Sequence, residues 1–584
     1  MASINLSEYQ KKILDGFKKT KGNMLINALA GSGKTYILTE LSKLISTYSV
    51  FVAFNKSIQE ELKTRITNPK FKVYTLNGLG FLIMNHNWGK LEEERLKNSD
   101  NKKDKKRDLQ LNQYKTIEMV AKVAEPYKHE FHLAESLDED ETIKEYYENI
   151  GYLFDLCRQR MINVSDEDAV IDTIDFYELF SNIDIPQSIC EILNELMLLD
   201  MKLFKENGMI DFIDQVFITY ILIRSGEWQL EYYHKFENIM VDEVQDLSKM
   251  QQLLLGLLRR SKSSRMIFVG DENQAIYSFS GADCHAIDNI RRLYNPVEYE
   301  LPINYRCPSK HLEYVNQKFD IPIQPRPDAP KGALINIEYE DIYKYIQQGD
   351  CILSRTNADL CTIALELLAE GFPIYIRDES LVKKLLKEIK KAKKDISDLT
   401  ELPKYIENIR NERIHLLIER NERFQNEGTI DNESIDKITF TDTNIDLLDC
   451  VDVLYNNYYQ ENKDRPNKLK DFSAFSLYVQ DKLQTKNSYN AIQCVSIHQA
   501  KGKEYKRVFI LNRARVYTEY GRNADQRKQE ANLSYIALTR SKDTIFLVAS
   551  NRSKQDEKEL FDDDSDSDSI KIYNDGLVFS IGRR

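Results

Sequence analysis

The sequence predicts an α/β protein with two cores of parallel strands and crossover helices, each core interrupted by a mainly helical insertion. Three observations lead there. Over residues 1–85, short apolar runs alternate with helical stretches, the pattern of a parallel sheet with crossover connections. Strand signals fade over 86–205 and return at "FENIMVDE" and "RMIFVGDE". They recur in "DCILSRTN" and "FPIYIRD", fade again over 378–487, and reappear in "AIQCVSIH", "RVFILN" and "DTIFLVAS".

Taken in order, residues 1–85 are expected to form the N-terminal part of the first core, with strands "MLINAL", "VFVAF" and "KVYTL". Residues 86–205 form its helical insertion, broken by the solvated charge run "KNSDNKKDKKRD", and 206–298 complete that core. Residues 299–377 open the second core, 378–487 are its helical insertion, and 488–552 complete it. Within that insertion "LVKKLLKEIKKAKK" (381–394) sets Leu381, Leu385, Ile389 and Ala392 along one face and seven lysines elsewhere. It reads as a solvated amphipathic helix, with a contact to duplex phosphates as the alternative. Residues 553–584, containing "DDDSDSDS", form an acidic low-complexity tail expected to be disordered.

Composition sets the outer limits. A chain of 584 residues is too long for one core. With 42% hydrophobic and 30% charged residues, no apolar run of bilayer length and no signal-peptide layout, it is expected to be intracellular, not secreted and not membrane-bound. Eight cysteines lie scattered without a C-x-x-C pair, which argues against a zinc ribbon or a disulfide framework and for a reducing compartment. The net charge of −12 does not exclude a nucleic-acid partner. The tail alone holds nine acidic and five basic residues, and phosphates respond to the local potential of a groove.

The chemistry starts at "NALAGSGKTYI" (27–37). Gly31, Ser32 and Gly33 allow a tight loop after Ala30 whose backbone N–H groups face a polyphosphate, Lys34 adds a point charge, and Thr35 offers a hydroxyl to Mg²⁺. The strict pattern has Gly five residues before the second Gly of the loop; this chain has Ala28 there. Ile37, Leu38, Leu41, Leu44 and Ile45 then follow at helical spacing, which puts the loop at a helix N-terminus. "IMVDEVQD" places Asp242 and Glu243 at the end of a buried strand, the first to hold Mg²⁺ and the second to orient and deprotonate water. "QAIYSFSGA" sets Tyr277 and Phe279 at alternate positions, so that an extended segment would project both rings from one side to stack on bases.

With "DEVQD", "GDENQAIYSFSGA", "NYRCP", "SIHQAKGKEYKRVFI" and "NLSYIALTRSK" in this order and approximate spacing, the chain resembles superfamily 1 DNA helicases of the UvrD/Rep type from about Gln10 to Val548. The resemblance implies two RecA-like P-loop NTPase cores with ATP in the cleft between them. By the same resemblance Gln10 reads the adenine edge, Tyr305 stacks on the base and Glu504 bonds the ribose. Gln274 senses the terminal phosphate, and Arg306 and Arg540 are arginine fingers. Thr75, Asn77, Arg355, Asn357 and His498 resemble further strand contacts. Asn77 stands where the family commonly has His, Ser280 where it often has Arg, and Lys503 where it often has Leu. "AIYSFSGA" in place of an "LPPV"-like segment implies 3′-to-5′ movement.

The expected function is an ATP- and Mg²⁺-dependent DNA helicase that moves along single-stranded DNA and unwinds duplexes. The alternatives are a translocase that strips proteins or serves a partner, and a P-loop kinase or switch, against which "QAIYSFSGA" and "IALTRSK" argue. The acidic tail is the expected contact for a protein partner.

Overall fold

A computed structural model describes residues 6–98, 105–132, 139–177, 179–180, 183–376, 379–424, 443–483, 490–513, 524–549, 572–574 and 577–579. The chain divides into two compact units, the first comprising Met1–Leu29 and Gly33–Leu301, the second Ala30–Ser32 and Pro302–Arg584.

The first unit is built on a six-stranded, all-parallel sheet in the order Phe71–Thr75, Ser49–Ala53, Asn238–Val241, Arg265–Gly270, Met24–Ala28, Val297–Leu301. Its central strands are buried along their lengths because helices cover both faces, which is why they read as continuous apolar runs rather than as alternation. Val297–Leu301 pairs with Met24–Ala28, so the first core extends to Leu301, three residues past the boundary expected from the sequence.

The expected break at residue 85/86 falls inside one continuous helix, Leu76–Lys97, which starts at the sheet edge with Thr75 as its N-cap. Gly80 lets this helix touch Asp214–Ser225 closely: a Cβ at Gly80 would stand 2.0 Å from the Gln215 carbonyl oxygen. The insertion has its own apolar core of helices, around Tyr146, Leu153, Phe154, Leu193 and Leu196. A buried ionic network fastens it to the sheet domain. Lys115 Nζ lies 2.6 Å from Asp214 and 2.5 Å from Asp200, and Arg158 reaches Asp214 at 2.7 Å and Asp211 at 2.8 Å. Removing one partner of such a network strands the other charges out of water, typically at about 3–5 kcal/mol.

The second unit carries another six-stranded parallel sheet, in the order Ala333–Ile337, Ser541–Val548, Tyr505–Ile510, Cys351–Ser354, Ile492–Ser496, Ile374–Ile376. Between 378 and 487 the described residues form the helices Glu379–Asp395, Leu402–Phe424, Thr443–Asn462 and Phe472–Leu483. Leu381, Leu385, Ile389 and Ala392 are buried and six of the seven lysines are exposed, so Glu379–Asp395 is amphipathic as its spacing predicts.

The run "KNSDNKKDKKRD" lies outside the described residues over 99–104, and "DDDSDSDS" lies wholly outside them. Within the tail expected to be disordered, Ile572–Asn574 and Leu577–Phe579 pair antiparallel.

Candidate nucleotide and nucleic-acid sites

In a parallel sheet every strand ends on the same edge, so the loops that follow the strands collect there. In the first unit that edge receives Gly33–Lys34 from Met24–Ala28, Asp271 and Gln274 from the neighbouring Arg265–Gly270, and Asp242–Glu243 from Asn238–Val241 beyond it. It also receives Phe54 from Ser49–Ala53 and Asn77 from Phe71–Thr75.

Helix Lys34–Lys43 begins at Gly33, whose φ of 86° is left-handed, and no side chain caps it. The N–H groups of its first turn, Thr35 included, therefore face outward at the positive end of the helix dipole, an arrangement that attracts anions. Lys34 Nζ sits 2.9 Å from Glu243 Oε2, which also accepts from Gln245 Nε2 at 2.6 Å. Gln245 Oε1 accepts from the Asp271 N–H at 3.1 Å, and Asp271 Oδ2 accepts from Gln274 Nε2 at 2.6 Å. One hydrogen-bonded line thus runs from Lys34 to Gln274. Burial works against the Lys34 ammonium, yet Glu243, Asp271 and Asp242 outweigh it and hold its pKa above the ordinary lysine value. Burial, and then the Glu243 charge, push the Asp242 carboxyl up to about 7. Glu243 adopts φ 49°, a left-handed conformation that costs a non-glycine residue about 1–3 kcal/mol and is characteristic of functional sites. Gln10 is buried in the capping box of Glu8–Lys19, and its Nε2 lies 3.9 Å from where a Gly33 Cβ would be.

The second unit holds the rest of the expected nucleotide residues. The Ala30 N–H donates to the Tyr535 hydroxyl at 2.9 Å instead of facing a polyphosphate, and Asn304 Nδ2 donates to the Ala30 carbonyl at 2.6 Å. A Cβ at Gly31 would stand 2.7 Å from Asn304 Nδ2, so only glycine fits. Ser32 Oγ is buried with no hydrogen-bond partner among the described residues. Tyr305 is 38% exposed, and its N–H donates to the Gly31 carbonyl. Arg306 Nε donates to Glu504 at 2.9 Å, and Lys542 holds the other Glu504 oxygen. Arg540 is buried. Nε donates to the Ile536 carbonyl at 2.9 Å, one terminal nitrogen to the Lys503 carbonyl at 3.2 Å, and the other to Thr539 Oγ1 at 3.0 Å. A helix C-terminus attracts a guanidinium in this way.

The expected strand-binding residues divide. Tyr277 and Phe279 do come together, with rings 6.0 Å apart at 64°, but on a 3₁₀ turn over Ser278–Ser280 and not on an extended segment. Turn chemistry overrides the alternation: Gly281 closes the turn at φ 87°, and Ser280 Oγ donates to the Tyr277 carbonyl. Tyr277 also stacks on Phe54 at 5.7 Å and 17°, and burial pushes its hydroxyl up to about 12. Phe279 is 50% exposed and is no core residue. Thr75 Oγ1 caps helix Leu76–Lys97 by accepting from the Gly78 N–H, and Asn77 Nδ2 donates to the Phe212 carbonyl.

In the second unit Arg355 makes a bidentate pair with Glu530 at 2.8 and 2.9 Å, and the Asn357 side-chain amide is held by Asp446 at 3.0 Å. Burial, with Arg355 and Lys501 nearby, lowers His498 to about 3 and keeps it neutral. Sequence reasoning misses Gln245, Asp271, Asn304, Tyr535 and Phe54 as site residues. Gln245, Asp271, Asn304 and Tyr535 all stand inside the motifs "DEVQD", "GDENQ", "NYRCP" and "NLSYIALTRSK", and Phe54 directly follows the strand Ser49–Ala53.

Residues 7–295 match the family model described as the UvrD/REP helicase N-terminal domain. The chain is 24% identical over 429 residues to the "Probable DNA helicase II homolog" of Mycoplasma pneumoniae, covering 59% of this chain and 58% of that protein. It is 24% identical over 328 residues to the "ATP-dependent DNA helicase Rep" of Buchnera aphidicola, covering 53% and 42%. The same identity holds over 361 residues with the "ATP-dependent DNA helicase PcrA" of Staphylococcus aureus (strain Mu50), covering 58% and 43%. The chain thus spans about half the length of these curated relatives. Among the described residues no helix is long and apolar enough to cross a membrane. Two parallel-sheet cores, a phosphate loop tied to the Asp242–Glu243 pair, and these matches make residues 7–295 a UvrD/REP helicase N-terminal domain and the chain similar to the UvrD/Rep type of superfamily 1.

Proposed function

We propose that this chain is an ATP-dependent DNA helicase that moves 3′ to 5′ along single-stranded DNA and unwinds duplexes. The observation that carries the reading is the hydrogen-bonded line from Lys34 through Glu243, Gln245 and Asp271 to Gln274, gathered at one sheet edge beside an uncapped helix N-terminus. A polyphosphate arriving there gives Lys34 a new partner and releases the Glu243 carboxylate to orient water and take its proton. Gln274 then reports the terminal phosphate to Asp271. The buried Ser32 hydroxyl, which has no partner among the described residues, suits a phosphate oxygen.

Thr35 and Asp242 are the residues that would hold Mg²⁺. The donor set fits, since a carboxyl raised to about 7 by burial gains from a divalent cation beside it. Such a cation supplies positive charge to the phosphate oxygens. Gln10, Tyr305 and Glu504 are proposed to hold adenine and ribose, and Arg306 to be a finger. Arg540 serves as a second finger only by leaving its helix cap. Tyr277 and Phe279, backed by Phe54, are proposed to stack on bases, and Thr75, Asn77, Arg355, Asn357 and His498 to line the strand. The relatives' names support DNA as the track, and the family supports the polarity. Protein docking through the acidic tail belongs to the same proposal.

The test is ATPase stimulation by single-stranded DNA, RNA and duplex, followed by unwinding of tailed duplexes. Stimulation by single strands with opening of 3′-tailed duplexes is expected. Stimulation without any opening would return the chain to the translocase reading, and ATPase indifferent to nucleic acid would overturn both.

A further inference from the structure

The first unit has an open cavity of about 490 Å³, lined among others by Arg160, Lys249, Asp283, Asp288 and Arg292. None of these residues belongs to the nucleotide or stacking sets above. Arg160 ends the helix Glu139–Arg160, and its guanidinium is fixed in place: it lies 5.2 Å from the Phe176 ring centroid and 5.5 Å from that of Tyr177, and donates to the Tyr177 hydroxyl at 2.9 Å. Lys249 opens the helix Lys249–Leu257, a position where the dipole favours an acidic side chain, and among the described residues no carboxylate pairs with it. Such a cation is poorly placed for stability and well placed for an anion. The carboxylates in the wall are already engaged. Asp283 Oδ2 accepts from Gln252 at 2.9 Å and Asn289 at 2.6 Å, its Oδ1 accepts from the His285 N–H at 3.0 Å, and Asp288 is paired with Arg291 at 2.9 Å.

We infer that this cavity is a phosphate pocket that receives a phosphodiester of the bound strand. Three cations face one saturated and one paired carboxylate, so the local field favours an anion although the chain as a whole is acidic. The cavity is far larger than an inorganic phosphate and is of a size to admit a nucleotide unit. It also adjoins the stacking face. The Tyr152 hydroxyl of helix Glu139–Arg160 donates to the Phe279 carbonyl, and a Cβ at Gly281 would stand 2.5 Å from Gln159. The turn that exposes Phe279 is thereby packed on the helix that ends in Arg160, and Asp283 of the cavity wall follows the closing Gly281 by two residues. This pocket rests on the reading of the chain as a DNA-tracking motor.

The test measures binding of fluorescent single-stranded oligonucleotides to the full chain across a salt series, for the wild type, Lys249→Gln, Arg292→Gln, Arg160→Gln and the triple variant. The wild-type slope of log affinity against log salt should shrink by about 0.7 for each phosphate no longer neutralised, hence by about 2 in the triple variant, equally for oligonucleotides of different sequence. Arg160→Lys should retain most of the slope. Because Arg160→Gln also removes packing on Phe176 and Tyr177, the Lys249 and Arg292 variants carry the test if it fails to fold. Unchanged slope and affinity in those two variants, with a wild type that binds, would overturn the pocket and leave the motor standing. Calorimetric binding of tripolyphosphate that Lys249→Gln and Arg292→Gln weaken, with the oligonucleotide slope unchanged, would overturn it in favour of a free-anion site. A wild type that binds no strand would overturn the motor reading itself.

Discussion

Lys34 and Glu243 touch each other, yet their removal should have different consequences. Lys34→Ala takes away a phosphate contact and should abolish nucleotide binding and turnover together. Glu243→Gln keeps a hydrogen-bonding side chain at the same place and should preserve binding while hydrolysis falls by about 10²–10⁴. Nucleotide titration beside steady-state ATPase separates them, and equal loss of affinity in both would refute the division. The two arginines are set apart by burial. Arg540→Ala removes the three hydrogen bonds of a buried guanidinium, at roughly 0.5–1.5 kcal/mol each, so its melting temperature should fall. Arg306→Ala, on a partly exposed ion pair, should keep its melting temperature and lose turnover. The identity of both arginines was legible in the letters. That Arg540 is spent on a helix end, Arg355 on Glu530 and the Asn357 amide on Asp446 was not, because these partners lie 4, 175 and 89 residues away and only the fold chooses them.

Helices and strands were legible where one period dominated a long segment. The amphipathic helix Glu379–Asp395 is the clear case, and it yields a test: Leu385→Ala should cost about 2–5 kcal/mol in thermal or denaturant unfolding, whereas Lys384→Gln on the exposed face should stay within about 0.5 kcal/mol. The Ser278–Ser280 turn shows the opposite situation. Three residues of alternation weigh less than a glycine able to adopt φ 87°, so the expected extended segment is a turn that still pairs both rings. A fading strand signal marks the end of a strand, and the helix Leu76–Lys97 that follows crosses the boundary expected at 85/86 without a break. Gly80 is invisible as a contact point, since a glycine inside a helical pattern signals nothing until the second helix is known. Gly80→Ala should force the two helices apart and lower the melting temperature by several degrees; an unchanged melting curve would show that the contact relaxes freely.

Across the whole chain, two buried histidines set a common response to acid. Burial lowers both His234 and His311 from 6.5 to about 4; among the described residues neither ring nitrogen of His234 has a hydrogen-bond partner, and His311 donates to the Ala333 carbonyl. Below pH 6.5 the unfolded chain takes up protons that the folded chain refuses until about pH 4. Stability is therefore full above 6.5 and is lost as pH falls through that window, by roughly 2 kcal/mol per histidine at pH 5. Thermal unfolding at pH 7 and pH 5 should show the drop, and His234→Phe with His311→Gln should shrink it. On the functional side, a 3′-tailed duplex should be opened with ATP and Mg²⁺ and a 5′-tailed one should be a poor substrate; the reverse preference would overturn the polarity and leave the nucleotide site untouched. Helix Leu76–Lys97 runs unbroken from the sheet into the insertion. Its 22 residues form a rod about 33 Å long, with its root at Thr75 on the sheet edge and its far half against Phe204 and Arg107 of the insertion. A rod seated in two bodies ties their orientations together. A tilt of about 10° at the root would move the far end through about 6 Å, so the edge of the sheet and the insertion can shift only as one.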